Sequence, residues 1–175
     1  MAVERASSSK DAFGLLGLPA QFDLDPQVIE RAFFDKSKEL HPDRFANAPA
    51  AERVAALSKS RALNDAYQTL KKPVPRAEYL LERAGVTIGD NEQVDQVFLM
   101  RVLELREELA EAKVAHDVGK VQALQMAMAK RKTQAIGELS ELFAKDALAD
   151  VKRRLIVLRY IDRYLEECDA ALDED

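Results

Sequence analysis

A single cysteine, Cys168, is all the thiol chemistry in this 175-residue chain. That excludes an internal disulfide and any cluster of thiolate metal ligands, and it points to a reducing compartment with Cys168 as a small apolar core residue. Val, Ile and Thr are sparse beside Ala, Leu, Glu, Lys, Arg and Gln, and no segment alternates polar with apolar at period two. A β-sheet is therefore not expected, and the fold class is all-α. No run of about 18 apolar residues exists, so a membrane span is not expected. The opening MAVERASSSK lacks an apolar segment and is short for a cleavable signal or transit peptide, so the expected location is the cytoplasm. No nucleophile–base pair, phosphate-binding glycine loop or metal-ligand cluster is visible. The expectation is a protein that is not an enzyme and carries neither metal nor cofactor.

What the chain does contain is ordinary for a folded protein, 47% hydrophobic residues with only 6 Gly and 6 Pro. Charge is unevenly divided. Residues 1–85 hold 13 Lys+Arg against 12 Asp+Glu, and residues 86–175 hold 13 against 19, so the halves carry +1 and −6. Phosphate binding needs clustered positive charge, so nucleic acid and anionic membrane are disfavoured as partners of the second half, and protein is favoured.

Helix signals divide the chain in two. Asp11 to Leu16 reads as a short helix stopped by Gly17 and Pro19, supplying Phe13 and Leu16 to a core. Asp25 is a good N-cap with Pro26 at the first helical position, and Val28, Ile29, Ala32, Phe33 and Leu40 recur at helical spacing. A third helix over about 50–71 carries Val54, Leu57, Leu63, Ala66, Tyr67 and Leu70, antiparallel to the second. Pro73 and Pro75 start a fourth through Tyr79, Leu80 and Leu81, ended by Gly85. The expected first domain spans 11–84 and a linker 85–91. Helices over about 92–115, 118–144 and 147–171, with Asp117 and Asp146 as N-cap candidates, then form an antiparallel three-helix bundle within 92–172.

Two places stand out as surfaces. Pro42 has no N–H and disfavours helix at the residue before it, so the second helix stops at about His41 and the turn His41-Pro42-Asp43 presents an imidazole and a carboxylate outward. The other is the helix over 92–115. At about 100° per residue with Phe98 at zero, Val94, Val102, Leu105, Leu109 and Ala112 fall within about 40° of it and make one core stripe. Leu99, Leu103, Glu107, Met100, Glu111 and Glu104 fall at about 100, 140, 180, 200, 220 and 240°. Three large apolar side chains beside three carboxylates on the far face read as a recognition patch for a basic partner. A competing reading packs Leu99, Met100 and Leu103 on the first domain and leaves the acids solvated. His116 falls at a helix–helix turn, in a capping role.

The short helix, the longer helix ending in His41-Pro42-Asp43 and the antiparallel partner carrying Leu63-Asn64-Asp65-Ala66-Tyr67-Gln68-Thr69-Leu70 resemble the J domain of J-protein co-chaperones. Neither a Gly/Phe-rich segment nor a paired-cysteine zinc module follows. The continuation Pro75-Arg76-Ala77-Glu78-Tyr79-Leu80-Leu81, with Phe98-Leu99-Met100 and Leu103 to Leu109, resembles the HscB-type co-chaperones of iron–sulfur cluster assembly over residues 11 to about 170. The resemblance implies that His41, Pro42 and Asp43, flanked by Lys38 and Arg44, dock on an HscA/DnaK-type chaperone and stimulate its ATP hydrolysis. It also implies that Leu99, Met100, Leu103, Glu104, Glu107 and Glu111 hold an IscU-type scaffold, with Tyr160 matching an exposed aromatic of the family. In this chain Tyr160 is expected to point away from a buried stripe of Leu155, Leu158 and Leu165. The second helix departs from the usual basic J-domain helix, because Glu30, Asp35 and Glu39 offset Arg31, Lys36 and Lys38. Two alternatives remain: a J protein serving another client, and a helical nucleic-acid-binding regulator.

Overall fold

In the computed structural model, which describes residues 11–173, seven α-helices and one 3-10 turn account for the regular structure. There is no strand among the described residues, and no helix among them is long and apolar enough to cross a membrane. The chain divides into two compact units between Ala84 and Gly85.

In the first unit α1 (Ala12–Leu16), α2 (Pro26–Glu39), α3 (Ala50–Leu70) and α4 (Pro73–Arg83) start where the sequence signals place them. Asp11 caps α1 by accepting from Gly14 N, and Asp25 caps α2 by accepting from Gln27 N. Each cap satisfies an N–H that the helix cannot pair internally. Phe13, Ile29, Leu63, Ala66 and Leu70 form the core, and the rings of Phe33 and Tyr67 stack at 4.3 Å and 11°, fixing α2 on α3. Complete burial of a Leu or Phe side chain stabilises by about 1.5–3 kcal/mol each. The main core cluster takes Leu63, Ala66 and Leu70 from α3, and in the first half of that helix Ala56 is buried while Val54 and Leu57 are exposed, as is Val28 of α2.

Polar contacts then fasten α4. Tyr79 Oη accepts from Ala12 N at 3.0 Å, and Arg83 Nη2 meets Asp11 Oδ2 at 2.9 Å. Buried Arg76 donates from Nη1 to the Leu70 carbonyl at 2.8 Å, a cation on one of the last carbonyls of α3 where the helix dipole favours positive charge. Burial holds its pKa below the ordinary value, and Asp23 opposes that shift.

The second unit is an antiparallel bundle of α5 (Gln96–Val114), α6 (Val118–Ala144) and α7 (Leu148–Asp173). Its core unites Leu109 and Ala112 with Val121, Leu124, Met128, Ile161, Tyr164 and Cys168. Three sequence expectations need correction here. α5 starts at Gln96 rather than at about 92, because Asp95 caps it by accepting from Phe98 N while Glu92 is drawn off by Gly89 N and Lys152 Nζ, each at 2.8 Å. Asp146 is not an N-cap. Its φ is 54°, its N–H bonds to Phe143 O, and Ala147 N bonds to Leu142 O, so it closes α6 in the left-handed conformation usually given to glycine. His116, with φ 52°, closes α5 in the same way. Third, Leu155 and Leu158 are buried but Leu165 only half so, since α5 covers one side of α7 alone.

Two predictions follow from these features. Asp146→Val should cost about 1–2 kcal/mol through left-handed strain, and Asp146→Gly should hold or raise stability; urea midpoints of both variants beside the parent check this. Tyr164 donates to the Leu105 carbonyl at 3.1 Å, and burial, reinforced by Cys168, raises its pKa above the ordinary 10.0. The unfolded chain ionises first, so the stability tied to this phenol is complete below pH 10.0 and falls as pH rises beyond it. Tyr164→Phe should therefore cost about 1 kcal/mol at neutral pH and flatten the alkaline decline of the urea midpoint.

Candidate functional site

The turn at 41–43 is built by exclusion. α2 ends at Glu39, slightly before the expected stop, with Leu40 as its cap residue. His41 takes the extended conformation that a following proline demands, φ −59° and ψ 135°. Pro42–Phe45 then forms a 3-10 turn, closed by Arg44 N bonding to His41 O at 3.0 Å. The imidazole does structural work, since its Nδ1 accepts from Asp43 N at 3.3 Å and lies 3.5 Å from Asp43 Oδ2. That bond orients Asp43 without covering it: the carboxylate side chain is 91% exposed. Arg44 is exposed beside it, and Lys38, one turn back, is tied loosely to Asp35 at 3.7 Å. Lys36 lies 4.0 Å from Glu39. The cations of α2 are thus partly neutralised within their own helix, as their interleaving with acids suggests.

The second candidate surface is the outer face of α5. Val102, Leu109 and Ala112 are buried, and Phe98 and Leu105 half-buried, along one stripe. On the far side Met100 is 64% and Leu103 57% exposed, with Glu104, Glu107 and Glu111 exposed around them. Leu99, at the edge between the two faces, is half-buried. Val94 lies before the helix starts.

Two features qualify the reading of this face. Arg101 reaches Glu104 at 2.9 Å and Glu108 at 3.8 Å, so the acidic rim contains a cation that holds one of its carboxylates in place. Tyr160 does not simply point away from the bundle. It is half-buried, its ring meeting Phe98 edge-on at 5.8 Å and 90°, with the Arg131 guanidinium 6.0 Å from the Phe98 ring centre. The aromatic pair therefore belongs to the seam where α7 meets the start of α5. Only the crossing of the helices brings Phe98 and Tyr160 together, and no local sequence signal marks it.

Among the described residues no group of three or more His, Cys, Asp or Glu converges to hold a metal ion. Cys168 is fully buried, and burial raises its thiol pKa, which keeps it protonated and unreactive. What the two surfaces offer is exposed charge and exposed apolar area on rigid supports, which suits recognition of other proteins.

Comparison with known proteins agrees with this geometry. Residues 11–79 match the family model of the DnaJ domain, and residues 94–169 match the model of the HSCB C-terminal oligomerisation domain. The chain is similar to the chaperone HscB from Vibrio cholerae, with 33% identity, 94% of this chain and 98% of that chain covered, and a TM-score of 0.81. It is also similar to the human co-chaperone HscB, with 25% identity, 94% and 83% coverage, and a TM-score of 0.85. Similarity across nearly the full length of both molecules, with the 41–43 turn inside the first matched region and the two-faced α5 inside the second, makes this chain a member of the HscB family of J-domain co-chaperones.

Proposed function

We propose that this protein joins two others: through the 41–43 turn it stimulates ATP hydrolysis by an HscA/DnaK-type chaperone, and on α5 it carries an IscU-type scaffold to that chaperone, supporting iron–sulfur cluster assembly and transfer. The observation that carries the reading is the coexistence, in one chain of this family, of a carboxylate held outward at a rigid turn and an exposed apolar–acidic helix face. Asp43 accepts charge-assisted hydrogen bonds from an arginine of the chaperone, and His41 and Pro42 hold it in place for that contact. Lys38 and Arg44 add positive charge that accelerates encounter with an acidic chaperone surface. Hydrolysis takes place in the partner.

On the other unit, Met100 and Leu103 supply area to desolvate, flanked by half-buried Leu99, and Glu104, Glu107 and Glu111 select a basic rim on the scaffold. Tyr160, with Phe98 behind it, extends this contact beyond α5. Tethering the scaffold to a chaperone-docking module raises its effective concentration at the chaperone without any new contact between the two.

The two surfaces are separable by mutation. Asp43→Ala removes a charge-assisted contact worth about 1.5–3 kcal/mol, so stimulation of a purified DnaK-type ATPase should fall about tenfold or more while scaffold affinity is unchanged. Leu103→Ala combined with Glu107→Ala should weaken scaffold binding by about 2–3 kcal/mol, read by calorimetry, and leave scaffold-free ATPase stimulation intact. Equal scaffold affinity in the parent and the double variant would remove α5 from the reading.

A further inference from the structure

Beyond the two surfaces already described, the second unit contains a basic groove of ≈ 310 Å³ between α6 and α7. Its origin lies in side-chain size. Ala127 and Ala135 of α6 face Val157 and Ile161 of α7, and the short alanines leave a furrow along the helix seam. From residue 127 to residue 138 the helix rises about 16 Å, the length of about five extended residues.

The walls of the furrow are charged. Lys130, Arg131 and Arg154 line it with a single carboxylate, Glu138, which pairs with Arg154. Lys130 forms no ion pair among the described residues, and the Arg131 guanidinium lies over the Phe98 ring. Arg154 is tied to Glu138 and its Nε is sealed from solvent, so the positive charge open to an occupant is that of Lys130 and Arg131. Three cations against one anion is a local excess of positive charge, inside a half-chain whose net charge is −6.

We propose that this groove docks an extended, acidic segment of a partner protein, with carboxylates on Lys130 and Arg131 and small apolar side chains on the alanine and valine floor. Charge complementarity sets the sign of the occupant, and the dimensions set its form. The furrow's length of about five extended residues and its volume of ≈ 310 Å³ suit the side chains of a short segment. A second copy of this chain offering the acidic face of α5 is the competing occupant that the test separates. A polynucleotide is disfavoured by the surrounding negative charge, since a long polyanion extends well past the groove, whereas a short segment stays within about a Debye length, 8–10 Å, of the local cations. Arg131, which contacts Phe98, makes the groove continuous with the aromatic pair at Tyr160.

The test uses the full chain and a short fluorescein-labelled peptide of alternating glutamate and alanine, followed by fluorescence anisotropy. Saturable binding is expected, weakening with added salt, falling about tenfold or more in Lys130→Glu/Arg131→Glu, and absent when lysine replaces glutamate in the peptide. Ala127→Phe plugs one end of the furrow without altering a charge and should weaken binding as well; unchanged thermal midpoints show that both variants are folded. The proposal is overturned if the parent does not bind at millimolar peptide, or if neither variant alters binding. It is also overturned if inorganic phosphate or a single-stranded oligonucleotide displaces the peptide as effectively as unlabelled peptide does. It is likewise overturned if sedimentation shows a dimer of the parent that both Lys130→Glu/Arg131→Glu and Ala127→Phe dissociate, since a second copy is then the occupant.

Discussion

A helix in a small antiparallel bundle can bury one stripe of its circumference, and whatever occupies the opposite side is left to water or to another molecule. α5 makes this constraint visible because it has apolar residues on both sides. Val102, Leu109 and Ala112 are spent on the bundle core, and Met100 and Leu103 then have no place inside. The same limit applies in the first unit, where the first half of α3 buries Ala56 but leaves Val54 and Leu57 exposed. Exposed apolar surface on both units is thus a geometric outcome of long helices with few neighbours, and it supplies the raw material for recognition.

The two units solve the positioning problem differently. In the first, a proline stops a helix, an imidazole caps the turn that follows, and the Phe33–Tyr67 stack holds α2 on α3 behind it. The carboxylate projects outward from a turn fixed by its own hydrogen bonds. In the second, no single residue is pre-set in this manner. Breadth replaces precision, with adaptable Met100 beside Leu103 and a carboxylate rim.

Much of this was legible locally. Asp25-Pro26 and Asp117 marked helix starts that the structure reproduces, Asp117 accepting from Lys120 N at 2.9 Å. Short links gave the antiparallel order of the bundle, and 100° spacing separated the two sides of α5. What was not legible depends on partners far away in the chain. Glu92 is withdrawn from the start of α5 by Lys152, and Tyr160 finds Phe98 across the bundle. The α6–α7 groove exists because alanines eight residues apart on one helix meet Val157 and Ile161 on another. Asp146 illustrates a further limit: it is a favoured N-cap type, yet the left-handed stop of the preceding helix claims it first.

Cys168 lies at the centre of the second unit, with 0% of its surface exposed. It is the sole thiol of the chain, and it is shut away from exchange with glutathione, from oxidants and from metal ions alike. Neither exposed surface of the molecule can therefore be switched by thiol oxidation or disulfide exchange within the chain.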